Sequence, residues 1–163
     1  MRKILITRIF DYPPDAVAEV KGSASYPNIN GTISFWQTQN GVVVMADVNG
    51  LPYNAENICS NSIFAMHIHE GCSCSGNNED PFADVGAHYN PHNCMHPAHA
   101  GDLPPLFSNK GEAWMAVFTD RFSVNDVIGR AVIIHLHYDD FMTQPSGNAG
   151  VKIACGIIKR INS

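Results

Sequence analysis

Short apolar/polar alternations, interrupted every few residues by turn chemistry, limit this chain to an antiparallel β architecture. Val42, Val44, Ala46 and Val48 fall on one face of a run from Val42 to Val48, and Ile33 and Phe35 share a face within Thr32 to Trp36. A period of two matches the pleat of a strand, and no stretch repeats at helical spacing. Further strands are predicted over Val17 to Val20, Ile63 to His69, Glu112 to Phe118, Ala131 to His135 and Val151 to Ile158. Breakers separate the early ones: Lys21-Gly22, Pro27 to Gly31, Thr38 to Gly41 and Asn49 to Pro52. Strands this short, at this spacing, predict an all-β sandwich or barrel.

One strand carries more than packing residues. On Ile63 to His69, the side chains of His67 and His69 leave the same face, while Phe64, Met66 and Ile68 leave the other. Six of the eight histidines lie between Met66 and Asp102. The train His88, His96, His99, Asp102 offers nitrogen and oxygen donors enough to close a tetrahedral metal shell without a thiolate. Two adjacent metal sites are the natural inference. The segment from Glu70 to Pro105 has no periodicity and few apolar residues. A loop that long needs something other than its own core to order it, and a bound metal would serve.

The 163 residues suffice for one domain with a self-supporting core. A formal charge of −5 argues against a nucleic-acid partner and an anionic-membrane surface. No apolar run approaches the length of a membrane span. Residues 1–10 have a basic start, but Thr7 and Arg8 interrupt the apolar run Ile4 to Ile6 and no cleavage site follows, so no signal peptide is recognised. The expectation is a cytoplasmic protein, with export left open. Residues 1–14 are expected to be an N-terminal extension or extra edge strand, and 15–163 a single domain.

Six motifs, in order along the chain, carry a resemblance to the copper/zinc superoxide dismutases, of the bacterial type. They are H-I-H-E at 67–70, G-A-H-Y-N-P at 86–91, H-A-G-D-L at 99–103, G-R-A-V-I-I-H at 129–135, D-D at 139–140 and G-N-A-G-V-K-I-A-C-G-I-I at 147–158. The resemblance extends weakly back to about Val17. It implies a Greek-key β-sandwich or flattened eight-stranded barrel with long metal-binding loops. It also implies disproportionation of superoxide to dioxygen and hydrogen peroxide, an antioxidant activity, at a copper ion bridged to zinc by His88.

Carried over residue by residue, the resemblance implies copper ligands His67, His69, His88 and His135, and zinc ligands His88, His96, His99 and Asp102. Asp139 matches the carboxylate that links free ring nitrogens of a copper ligand and a zinc ligand. His88 would act both as ligand and as proton donor. Lys152 stands where the family has an arginine that draws in the anion; it keeps the charge and loses the planar fork. His92 and His137 match no ligand and are expected to be solvated. The family's disulfide implies Cys155 bonded to a loop cysteine, Cys74 in preference to Cys72. Five cysteines cannot all pair within one chain, and Cys94 is expected as a free thiol or bonded to Cys72. A homodimer is a further expectation. The alternative function is a non-catalytic module of the same fold that buffers or delivers copper, and Lys152 is the feature that favours it.

Overall fold

The computed structural model describes residues 6–57 and 59–161. Among the described residues eight strands form one antiparallel sheet: β1 (Ala16–Gly22), β2 (Asn30–Gln37), β3 (Val42–Asn49), β4 (Ile63–His69), β5 (Asp102–Phe107), β6 (Ala113–Thr119), β7 (Ala131–His135) and β8 (Lys152–Arg160). Their order is β5-β4-β7-β8-β1-β2-β3-β6. The end strands β5 and β6 also lie beside each other, so the sheet curls into a nearly closed barrel. The links from β3 to β4 and from β5 to β6 cross between the two halves of the sheet, while β1-β2-β3 and β7-β8 run as neighbours; this is Greek-key connectivity.

Alternation explains the core. Val42, Val44, Ala46 and Val48 point inward with Ile33, Phe35, Phe64, Met66, Ile68, Val132 and Ile134, all in one buried cluster. Each such Val, Ile, Phe or Met removed from water contributes roughly 1.5–3 kcal/mol, which sets the register of every strand that carries one. The opposite face of β4 and β7 is therefore fixed as well. His67, His69 and His135 leave the barrel outward, beside Ala131 and Ile133.

Two expected boundaries change. Strand β5 was not anticipated: Asp102 to Pro105 belongs to it, and the irregular segment ends at Gly101. Pro104 and Pro105 disguise the strand; a sheet end with a register shift opposite Phe64/Met66 is where prolines are tolerated. Within the expected extension, Ile6–Asp11 is a 3₁₀ helix rather than a strand, and residues 1–5 lie outside the described residues. Its Ile9 packs on Trp36 and Val43, on the outer faces of β2 and β3. The Trp36 indole N–H donates to Tyr12 O at 2.8 Å, satisfying the one polar atom of that patch. A four-residue helix, α1 (Val124–Val127), was also not anticipated.

The long segment after β4 covers the outer face of the sheet. Phe82 and Val85 bury themselves against Ala131, Ile133 and Cys155, and a Cys74–Cys155 disulfide pins the same region to β8. It thus borrows a core from the barrel instead of making its own. Cys59, Cys72 and Cys94 are exposed free thiols, so the Cys72–Cys94 bond weighed from the sequence is not formed.

Candidate metal centre

Sheet register builds the site. His67 on β4 is the cross-strand partner of Asp102 on β5, and an isolated bridge pairs His69 with His88 from the loop. On the other side of β4, a register shift at Ile134/His135 turns the end of β7, where His135 pairs with Lys152 on β8. Directly opposed residues of an antiparallel pair have Cβ atoms about 4.5–5.5 Å apart, so the pairings of β4 with β5, with the loop and with β7 bring donors from four segments to one place. A bulge of this kind re-aims a side chain.

Two groups of buried donors result: His67, His69, His88 and His135, and His88, His96, His99 and Asp102. Within each, one ligand atom per residue lies within 4.8 Å of all the others, and His88 belongs to both. The expected Asp139 is 3% exposed and spans them. Its Oδ2 accepts from His67 Nε2 and its Oδ1 from His96 Nε2, both at 2.8 Å. His92 and His137 are exposed.

Hydrogen bonding decides which ring nitrogens are free. His69 Nδ1 donates to Gly86 O at 2.9 Å and His135 Nδ1 to Gly150 O at 3.1 Å, which leaves their Nε2 atoms as lone pairs facing each other at 3.4 Å. His67 Nδ1 and His88 Nε2, also in this group, are buried without a hydrogen-bond partner. In the second group, His96 Nδ1 is likewise orphaned: it lies 3.0 Å from Asp102 Oδ2 but is not aligned as a donor. Buried acceptors pointed at one another are costly unless a cation sits between them. The donor sets therefore fit metal ions at both places, with imidazole nitrogen alone in the first and imidazole plus carboxylate in the second.

Electrostatics favours the ligand forms. Burial, then the neighbouring His135, pushes His69 down to about 2, and burial, then His67, pushes His135 down to about 3. His67 is lowered chiefly by burial as well. These rings are neutral at physiological pH, as a metal requires. Burial raises the Asp139 carboxyl, but hydrogen bonds from His67, the Phe141 N–H and His96 outweigh it and bring it down to about 2. For Asp102 burial is likewise overcome by the His88 hydrogen bond and the charges of His88, His96 and His99.

Beside the first group opens a cleft of about 620 Å³, lined by His69, His88 and His135 and, at its mouth, by Lys152, Asp80 and Glu79. The Lys152 ammonium is paired with Asp80 Oδ2. Asp80 escaped the sequence reading, as did two residues that brace the second group. Arg121 donates to the carbonyls of Pro97, His99 and Asp102 at 2.9, 3.2 and 3.2 Å. Gln144 grips His96 by both backbone groups, accepting its N–H at 2.9 Å and donating to its C=O at 2.6 Å. No spacing rule marks contacts of a side chain with distant backbone.

The family model described as Copper/zinc superoxide dismutase (SODC) matches residues 29–158. Superoxide dismutase [Cu-Zn] 2 of Aquifex aeolicus is 31% identical over 96% of this chain and 93% of its own length. Superoxide dismutase [Cu-Zn] of Deinococcus radiodurans is 30% identical, with 82% of this chain and 79% of its own length covered. Among solved structures, the Cu/Zn superoxide dismutase from Brucella abortus superposes with a TM-score of 0.72 at 23% identity, covering 87% of this chain and 98% of that one. That likeness bears on the fold; the sequence matches carry the kinship. Most of the chain, including both donor groups, falls inside the match, and the chain belongs to the copper/zinc superoxide dismutase family.

Proposed function

We propose that His67, His69, His88 and His135 hold copper, that His88, His96, His99 and Asp102 hold zinc, and that the protein disproportionates superoxide to dioxygen and hydrogen peroxide. The observation that carries this reading is the convergence of buried ring nitrogens, three of them without any hydrogen-bond partner, on two adjacent centres sharing one imidazole. When bound, copper supplies the one-electron redox chemistry, and zinc a redox-inert charge and template.

This chain's own residues have simpler tasks. Asp139 holds His67 and His96 in one tautomer and orientation through their Nε2–H groups. Gly86 O and Gly150 O do the same for His69 and His135. His88 turns Nδ1 toward Asp102 and has Nε2 free, so Nε2 is the atom able to hold a proton beside the incoming anion. Lys152, opposite His135 and at the mouth of the cleft, attracts that anion into an otherwise net-negative protein.

The test is superoxide consumption by protein shown by elemental analysis to contain both metals. His67→Ala should lose stoichiometric copper and fall to the rate of copper-free protein. Lys152→Arg should keep or raise the rate, Lys152→Ala lower it severalfold, and Lys152→Glu lower it most. Equal rates in all three would remove Lys152 from the mechanism. Full loading with both metals but no turnover would instead favour the buffering module. Two expectations accompany this reading: a homodimer, to be read by sedimentation, and a cytoplasmic location, to be read by fractionation. No helix among the described residues is long and apolar enough to cross a membrane.

A further inference from the structure

The cation at the cleft mouth is not free. Asp80 Oδ2 is paired with Lys152 Nζ, and the loop around Asp80 is built to keep it there. Its backbone N–H donates to Asn77 Oδ1 at 2.9 Å, and its carbonyl accepts the N–H groups of Asn77 and Ala83 at 2.9 and 3.1 Å. Its second carboxylate oxygen, Oδ1, accepts the Phe82 N–H at 3.1 Å, and Phe82 is an anchor buried against Cys155. That leaves Oδ2 facing the ammonium. The pair is reachable by a small solute: the Lys152 side chain is 18% exposed and that of Asp80 38%. Glu70 and Glu79 line the same cleft, so Lys152 is one cation in a lining that also holds three carboxylates, of which Asp80 alone is in contact with it.

We propose that Asp80 is an internal competing anion: its carboxylate occupies the anion-binding position of Lys152 and sets how strongly small monoanions are drawn to the cleft. This rests on the reading of Lys152 given above and adds a residue that limits it. An entering anion must displace Oδ2 from the ammonium or share it, so the wild-type cleft attracts anions less than its lysine alone would. The pairing also shortens the reach of the field, because a cation and an anion in contact act at a distance as a dipole.

Two readouts test this. In metal-free protein, acylation of Lys152 by an amine-reactive ester, followed by peptide mass, should be faster in Asp80→Asn than in wild type. In copper- and zinc-loaded protein, Asp80→Asn should bind azide roughly two- to fivefold more tightly at low ionic strength, the gain shrinking as salt is added. Glu79→Gln removes the same charge from the same cleft without touching the pair, and should give a smaller change in both. The double variant Asp80→Asn/Lys152→Ala should lose the azide gain. Unchanged labelling, an azide gain matched by Glu79→Gln, or a gain that survives in the double variant would each overturn the role of Asp80. If Lys152→Ala alone leaves azide affinity unchanged, the reading of Lys152 fails and Asp80 falls with it. If Lys152→Ala weakens azide and Asp80→Asn does nothing, only Asp80 falls.

Discussion

Both oxygens of the Asp139 carboxylate are committed: one to a ring of the first donor group, one to a ring of the second, with the Phe141 N–H adding a third bond at 2.7 Å. Such outer partners fix which nitrogen of each ring faces the metal, and their loss usually costs about 10–100-fold in affinity. Asp139→Asn replaces one acceptor by a donor, so a ring must turn or give up its bond. Zinc and copper affinities, measured by competition with chelators, should therefore fall together roughly tenfold or more. A variant losing only one metal would show that the carboxylate does not couple the two groups. Gly147 gives an independent approach to the same atom. At its φ of +67° a Cβ would stand 2.0 Å from Asp139 Oδ1 and 2.7 Å from His96 Nε2, so Gly147→Ala should reproduce the loss by displacing the bond between them, with no donor residue substituted.

The segment from Glu70 to Gly101 is held from three sides: by the Cys74–Cys155 disulfide, by Phe82 and Val85 on the barrel's outer face, and by the second donor group with Arg121 and Gln144 around it. Asp102 belongs to that last hold. Its Oδ1 meets His88 Nδ1 at 2.8 Å, and its Oδ2 accepts the His99 N–H at 3.0 Å. Asp102→Ala should loosen the loop and remove roughly 1–3 kcal/mol, lowering the melting temperature by about 2–4 °C per kcal/mol while the barrel stays folded. Limited proteolysis should then cut between residues 86 and 101. An unchanged melting temperature together with an unchanged cleavage pattern would mean the carboxylate holds nothing. What the sequence made legible follows from the same physics. Five strands declared themselves by alternation at period two, as in Val42 to Val48, and two, Ala131 to His135 and Val151 to Ile158, as continuous apolar runs. Strand β5 did not, since Pro104 and Pro105 break the pattern at an edge where the ladder does not need their N–H groups. Helix α1 was too short for any period, although Ser123 and Asp126 form a capping box. The donor cluster was legible because imidazoles at short spacing are rare. Asp80, Arg121 and Gln144 were not, because their partners lie 72, 19 to 24 and 48 residues away and nothing local signals them.

For the molecule as a whole, a barrel that seals its core must carry its chemistry on the outside and then cover it. The price is a set of buried, uncharged imidazoles. In metal-free protein His67, His69 and His135 hold folded-state pKa values below 6.5, the last two at about 2 and about 3. In the unfolded chain they take up protons as pH falls through about 6.5; in the folded chain each does so at lower pH, His69 and His135 not until about 2 and about 3. The unfolded state therefore binds more protons throughout that window, and stability falls as pH is lowered. By pH 5 His69 and His135 each cost about 2 kcal/mol, and the burial of His67 acts in the same direction, against the 5–15 kcal/mol that holds a typical domain. Asp139 acts in the same direction but lower down. Its carboxyl, normally near 3.8, is brought to about 2, so its contribution is intact above about pH 4 and is lost as pH falls toward 2. Metal-free protein should thus lose a large part of its stability between pH 6.5 and 5, before the Asp139 carboxyl titrates. Protein loaded with copper and zinc should resist over that interval, because bound metal stabilises only the folded state. Denaturant titrations of both forms at pH 7, 6 and 5 would check this. Equal unfolding midpoints for the metal-free form at pH 7 and pH 5 would show that the three rings are not held neutral by burial.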